Sequence, residues 1–258
     1  SLTVLVRCPD GSPAVLKLAP PKARPADERA ALTHWDGRGA VRVLDEPSGT
    51  DPPARTGVGA GAGRTATGVL LLERLRPDVS ARTLPEARSM LEAADTLRRL
   101  WVEPPAVHPF ETVAERTRRQ ADALSVMAAA SADAGVTSLV HTALDTRAEL
   151  LARPPQAVLL HGAFRQGKVL AGERVPWLAV GPEPLVGECA FDLARLVRDR
   201  VEDLIALPSG PAITRRRVKR LAESLDVERD RLTGWTLFRA VESGMRALRM
   251  GRRQDAEL

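Results

Sequence analysis

Apolar and polar positions alternate in Leu2-Thr3-Val4-Leu5-Val6 and again in Ala14-Val15-Leu16-Lys17-Leu18, with the turn formers Pro9-Asp10-Gly11 between them. Period-two runs joined by such a turn predict a β-hairpin. A helix is expected from about Ala26 to His34, followed by a strand near Val41–Leu44. Residues 46–68 are rich in Gly, Pro, Thr and Ala and read as a mobile loop. Val69–Leu72 returns as a buried strand. Residues 1–75 therefore predict a small antiparallel sheet with one helix.

Beyond that point the period changes. Thr83-Leu84-Pro85-Glu86 has the form of a capping box with Pro early in a helix, and Ala87, Met90, Leu91, Ala94 and Leu97 follow at helical spacing to Leu100. Further helices are expected near 111–130, 136–152, 189–206, 214–224 and 227–249. Ala157–Leu160, Val169–Leu170 and Trp177–Val180 read as short strands among them, and no internal repeat is evident. The pattern is α+β, with a sheet lobe over 1–75 and a mostly helical lobe over 76–258. At 258 residues the chain buries enough for two closely packed lobes.

Composition adds exclusions. No run approaches the roughly 20 apolar residues of a membrane span, and no secretion signal is visible. Cys8 and Cys189 fall in different lobes and make no disulfide framework, so a reducing cytoplasm is expected. The formal charge of +5 is modest, and the basic run Thr214–Arg220 lacks interleaved aromatics. It reads as a solvated helix face, not a nucleic-acid contact. Asn and Tyr are absent and Arg is abundant, which points to a GC-rich bacterial genome. Gly57, Gly59, Gly61 and Gly63 follow Lys17 and lack a Lys-Ser/Thr ending, so they read as linker and not as a phosphate loop. His108 and His141 have no visible triad partners, and no His/Cys spacing suggests zinc.

The segment Leu160-His161-Gly162-Ala163-Phe164-Arg165-Gln166-Gly167-Lys168 resembles His-Gly-Asp-Leu-His-x-Gly-Asn, the catalytic loop of aminoglycoside phosphotransferases. Downstream, Trp177-Leu178-Ala179-Val180-Gly181-Pro182-Glu183-Pro184-Leu185-Val186-Gly187-Glu188-Cys189-Ala190-Phe191-Asp192-Leu193-Ala194 resembles the streptomycin 6-kinase and hydroxyurea phosphotransferase branch of that superfamily. His34–Leu44, Val69–Leu75 and Gly234–Ser243 are similar to the same branch, in the same order. The resemblance implies a two-lobed protein-kinase-like fold. It implies that Lys17 meets nucleotide phosphates with Glu28 as partner, and that Glu73 and Leu75 border the adenine at the hinge. His161 and Asp192 shape the loop on the same grounds. Little chain precedes the hairpin, so the first strand and the nucleotide-covering turn are expected to be missing or shortened.

Three positions depart from the pattern. Ala163 stands where the resemblance implies the base Asp, Lys168 where it implies a metal-binding Asn, and Gly181 where it implies a metal-binding Asp. In kinases the Asp takes the hydroxyl proton and Asn and Asp hold Mg²⁺. With those groups replaced, residues 161–168 read as a degenerate catalytic loop, and the leading expectation is a pseudokinase. Such a protein would bind or scaffold a protein partner or small-molecule ligand, plausibly in antibiotic biosynthesis or resistance. No metal and no cofactor is then expected, although ATP binding without Mg²⁺ stays open through an anion site of Arg165 and Lys168. The alternatives are a diverged ATP-dependent small-molecule phosphotransferase, with Glu183 or Glu188 as compensating acid, or a kinase fold recruited to another reaction or to a modifying complex.

Overall fold

The computed structural model describes residues 1–44, 68–200 and 207–251. At its N-terminal end β1 (Leu2–Arg7) and β2 (Pro13–Leu18) pair antiparallel, with Leu2 opposite Leu18 and Arg7 opposite Pro13. The turn between them closes through Cys8 N–H to Ser12 O and Gly11 N–H to Cys8 O, both 2.9 Å. α1 (Pro25–Trp35) buries Ala31, Leu32 and Trp35. β3 (Val69–Glu73) pairs antiparallel with β2, placing Leu70 opposite Lys17. The strand expected near 41–44 is only a bridge between Val43 and Leu72, flanked by Leu44 N–H to Leu71 O and Glu73 N–H to Arg42 O. All but Gly68 of the Gly/Pro-rich stretch 46–68 lies outside the described residues.

After the hinge come β4 (Arg76–Ser80), α2 (Glu86–Leu100), β5 (Glu111–Thr112), α3 (Val113–Ala129) and α4 (Ala134–Ala152). The chain continues with β6 (Val158–Leu160), β7 (Val169–Ala171), β8 (Trp177–Ala179) and β9 (Leu185–Gly187). It then forms α5 (Cys189–Val197), α6 (Gly210–Leu225) and α7 (Arg229–Arg249). Two small sheets result, in the orders β4-β7-β8 and β5-β9-β6. The β4, β5 and β9 strands escape sequence reading because they are short and carry no alternation. The helix expected over 189–206 stops at Val197, and residues 201–206 lie outside the described part.

One expected cap is wrong and another was missed. Pro85 occupies the N-cap of α2 without any side-chain cap, and the Thr83 hydroxyl instead donates to Ser80 O at 2.7 Å. A short 3-10 turn at Ala81–Thr83 takes Thr83 out of capping position. The true capping box is at α3, where Glu115 N–H donates to Thr112 Oγ1 at 3.1 Å and Thr112 N–H donates to Glu115 Oε2 at 2.8 Å.

Both lobes share one core. Trp35 and Leu70 join Leu97, Leu159, Phe164, Leu178, Trp235 and Phe238 in a single buried cluster. Burying each such side chain contributes about 1.5–3 kcal/mol. The segment after α1 also pairs with β8 through Val41 N–H to Ala179 O (3.0 Å) and Ala179 N–H to Gly39 O (2.8 Å). Trp35 Nε1–H donates to Leu100 O at 2.8 Å, fixing α1 to the end of α2. No described helix is long and apolar enough to cross a membrane. Both cysteines are free thiols.

Candidate active site

The loop after β6 is held from below by α5. Asp192, fully buried in the first turn of α5, accepts the backbone N–H groups of His161 (2.7 Å) and Gly162 (2.8 Å). Burial pushes this carboxyl up to about 6, against the pull of Arg239 and the two N–H donors. Arg239, on α7, sits over the Phe191 ring at 4.3 Å and donates to Phe191 O at 3.1 Å. Burial pulls its guanidinium down to about 10. Both shifts are toward the neutral form, as burial dictates, and the Arg239 charge is the first that opposes the shift of Asp192, whose carboxyl is the strut under the loop. Nothing in the sequence marked Arg239 as that partner.

Gly162 is at φ +74°, and a Cβ there would lie 1.9 Å from Glu183 O, so only glycine fits. Glu183 N–H donates to His161 O at 2.9 Å, stapling the loop to the segment after β8. His161 is fully buried and faces Phe164 edge-on at 5.4 Å. Ala163 N–H donates to His161 Nδ1 at 3.3 Å, which leaves Nε2–H to donate to Val180 O at 3.2 Å. Burial first and the Lys168 charge second hold His161 well below the usual imidazole range. It is therefore a neutral structural ring. Ala163 is buried and brings no proton acceptor to the loop.

Lys168 ends the loop in a 3-10 turn, with its carbonyl accepting Val180 N–H at 2.9 Å. Its Nζ donates to Gly181 O at 2.8 Å. Gly181 is at φ +62°, and a Cβ built on it would meet Nζ of Lys168 at 3.9 Å. The ammonium thus lies where a side chain at 181 would reach. Burial pulls Lys168 down to about 8, with Glu183 opposing and Arg195, Arg165 and Lys17 adding to the fall.

Across the cleft, Lys17 Nζ contacts both Glu28 carboxylate oxygens at 2.6 Å, joining β2 to α1. The Lys17 charge is felt, weakly, at Lys168. Glu73 is occupied otherwise: its carboxylate binds Arg174 at 3.0 Å and accepts Arg42 N–H at 3.1 Å. Leu75 is buried and lines a cavity of about 330 Å³ with Arg7, Pro13, Arg74 and Ala171, between the hairpin and β7.

The two candidate acids separate clearly. Glu188 is buried and bound by Arg231 through two bonds of 2.6 Å, so it is a structural ion pair and not a compensating acid. Glu183 is exposed, with Arg116 no nearer than 3.9 Å and the Lys168 charge beside it. Arg165 is exposed at the loop tip. Among the described residues no three His, Cys, Asp or Glu side chains gather to hold a metal ion. Mg²⁺ requires oxygen ligands, commonly carboxylates, whereas the places the resemblance implies for them carry an ammonium and no side chain. The donor set does not fit a divalent cation.

The loop's frame has matches along the whole chain. Residues 1–51 and 54–251 match the family model described as aminoglycoside/hydroxyurea antibiotic resistance kinase. Streptomycin 6-kinase of Streptomyces glaucescens is 33% identical over 95% of this chain and 74% of its own length. Hydroxyurea phosphotransferase of Kitasatospora aureofaciens is 33% identical over 91% of this chain and 62% of its own. Among solved structures, an aminoglycoside phosphotransferase from Streptomyces rimosus superposes at TM-score 0.54 with 19% identity, covering 93% of this chain and 89% of that one. That likeness establishes the two-lobed kinase-like fold. The expectation of a pseudokinase is overturned, because the relatives are named as streptomycin kinases and a hydroxyurea phosphotransferase. This chain belongs to the aminoglycoside/hydroxyurea antibiotic resistance kinase family.

Proposed function

We propose that this protein is a small-molecule phosphotransferase that moves the terminal phosphoryl group of ATP to an acceptor of the streptomycin or hydroxyurea type. The observation that carries the reading is the Lys17–Glu28 ion pair, which fixes the ammonium between β2 and α1 with both carboxylate oxygens engaged at 2.6 Å. Kinship with a streptomycin 6-kinase along 95% of the chain supports the acceptor class. The cavity of about 330 Å³ at the hinge is large enough for a purine base.

Phosphoryl transfer asks for positioning and for charge on the transferring group more than for covalent help. The acceptor hydroxyl oxygen attacks the terminal phosphorus as the bond to the bridging oxygen breaks, and ADP leaves. Lys17 and Lys168 stabilise the phosphate oxygens. Glu183, the exposed acid beside the cleft, takes the hydroxyl proton in place of the absent Asp at position 163. A poorly placed base costs about 10²–10⁴ in rate, so slow turnover is expected. ATP supply and two free thiols support a cytoplasmic setting, and the acceptor class supports a part in antibiotic resistance or biosynthesis.

Mass spectrometry of streptomycin and of hydroxyurea after incubation with ATP and the protein tests the reading. An acceptor heavier by one phosphoryl group, with matching ADP release, is expected. Lys17→Met should lower that rate by about 10²–10³, the worth of one preorganised charged donor. ADP release that is the same without acceptor, and no phosphorylated product, would sink the reading.

A further inference from the structure

We propose that Lys168 takes the place of a divalent cation and that the cleft holds the phosphate chain of a nucleotide without metal. The inference rests on the phosphotransferase reading and names how that site carries charge.

Geometry makes the case. Among the described residues the Lys168 ammonium has one hydrogen-bond partner, the Gly181 carbonyl at 2.8 Å. Lysine carries three donors, so two remain for a ligand. Its backbone is fixed on both sides, by Val180 N–H to Lys168 O at 2.9 Å and by Lys168 N–H to Arg165 O at 2.8 Å. The side chain is half-buried, and no described carboxylate lies within ion-pair distance of it. Lys17, Arg165 and Arg195 add like charge around it, the Glu183 carboxylate opposes them, and the neutral His161 adds none. A half-buried ammonium with free donors, among more cations than acids, is suited to an oligophosphate and disfavours Mg²⁺. It offers phosphate oxygens one fixed positive charge at close range, half the charge of a divalent cation.

Calorimetric titration of AMP-PNP into the full chain, once with EDTA and once with Mg²⁺, tests the inference. The dissociation constant is expected to be as low in EDTA as in Mg²⁺, or lower. Lys168→Gln should weaken binding in EDTA by about ten- to hundredfold, the worth of one charge-assisted hydrogen bond. Gly181→Asp gives an independent check, since aspartate tolerates positive φ and its Cβ meets only the Lys168 ammonium at 3.9 Å. Its carboxylate neutralises Lys168, so binding in EDTA should fall and a gain on adding Mg²⁺ should appear. Tight binding that requires Mg²⁺ in the unaltered protein overturns the inference while leaving the phosphotransferase reading standing. No binding under either condition overturns both.

Discussion

Asp192 and Gly162 are joined by a 2.8 Å bond from the Gly162 N–H to the buried carboxylate, and a second bond from His161 N–H at 2.7 Å fixes the loop's entry. Removing the carboxylate strands two buried N–H groups. Asp192→Ala is expected to cost about 2–5 kcal/mol, the usual result of leaving two buried donors unsatisfied. Urea denaturation reads that loss directly, and a change below 1 kcal/mol, about the worth of one ordinary hydrogen bond, would contradict the strut.

Gly162→Ala should be almost as damaging for a different reason. A methyl group 1.9 Å from Glu183 O forces the segment after β8 away, and φ +74° disfavours any L side chain. A loss of at least about 3 kcal/mol is expected from strain and overpacking together. Thermal melting of the variant beside Gly167→Ala, where no atom lies within 4 Å, isolates the effect.

The acids Glu183 and Glu188 should part company on mutation. Glu188→Gln leaves Arg231 buried and unmatched, so stability falls by several kcal/mol. Glu183→Gln should leave the melting temperature unchanged and lower turnover by roughly tenfold, since a poorly placed base supplies only part of the usual 10²–10⁴. Equal turnover in Glu183→Gln and the unaltered protein would remove Glu183 from the reaction.

Lys168 sets a pH dependence with a definite sign. Burial is the main cause that lowers it to about 8, with Glu183 opposing and Arg195, Arg165 and Lys17 reinforcing. His161 stays neutral and contributes no titration near that value. AMP-PNP affinity should hold near pH 7 and weaken as pH rises above 8, the fall shifted upward by the bound phosphates. A flat profile through pH 10 would contradict a role for this ammonium.

Stability moves the opposite way. An unfolded chain keeps the Lys168 proton to about 10.5, so it binds more protons than the folded protein between about 8 and 10.5, and stability rises with pH across that window. Below it the cost of the buried charge is fully present. Lys168→Met is expected to stabilise the fold by about 1–2 kcal/mol at neutral pH after solvent screening and the lost bond to Gly181 O. Chemical denaturation that shows Met less stable than Lys would contradict that charge cost.

Sequence alone determined the hairpin by its alternation, and α2, α6 and α7 because their periodic apolar residues declare a buried face; α1 and α4 carry little such period and are legible mainly from the turn formers around them. It also determined the kinship, since His161, Gly162 and the run from Trp177 to Ala194 keep their order and spacing. Short strands such as β5 and β9 were not legible, because two or three residues hold no period and exist only by pairing with distant segments, β9 with both β5 and β6. The cap at Thr112 was missed and that at Thr83 was misplaced, since a helix start depends on where the preceding turn ends. Most of the site's chemistry lay beyond local reading. Glu183 and Glu188 look alike in sequence, and only the approach of Arg231 from α7 makes one a buried ion pair. Ala163, Lys168 and Gly181 read as losses in a line of letters. Tertiary structure decided what they amount to, because the bond from Lys168 to Gly181 spans 13 residues, and an ammonium acts through the space around it and not through its neighbours in the chain.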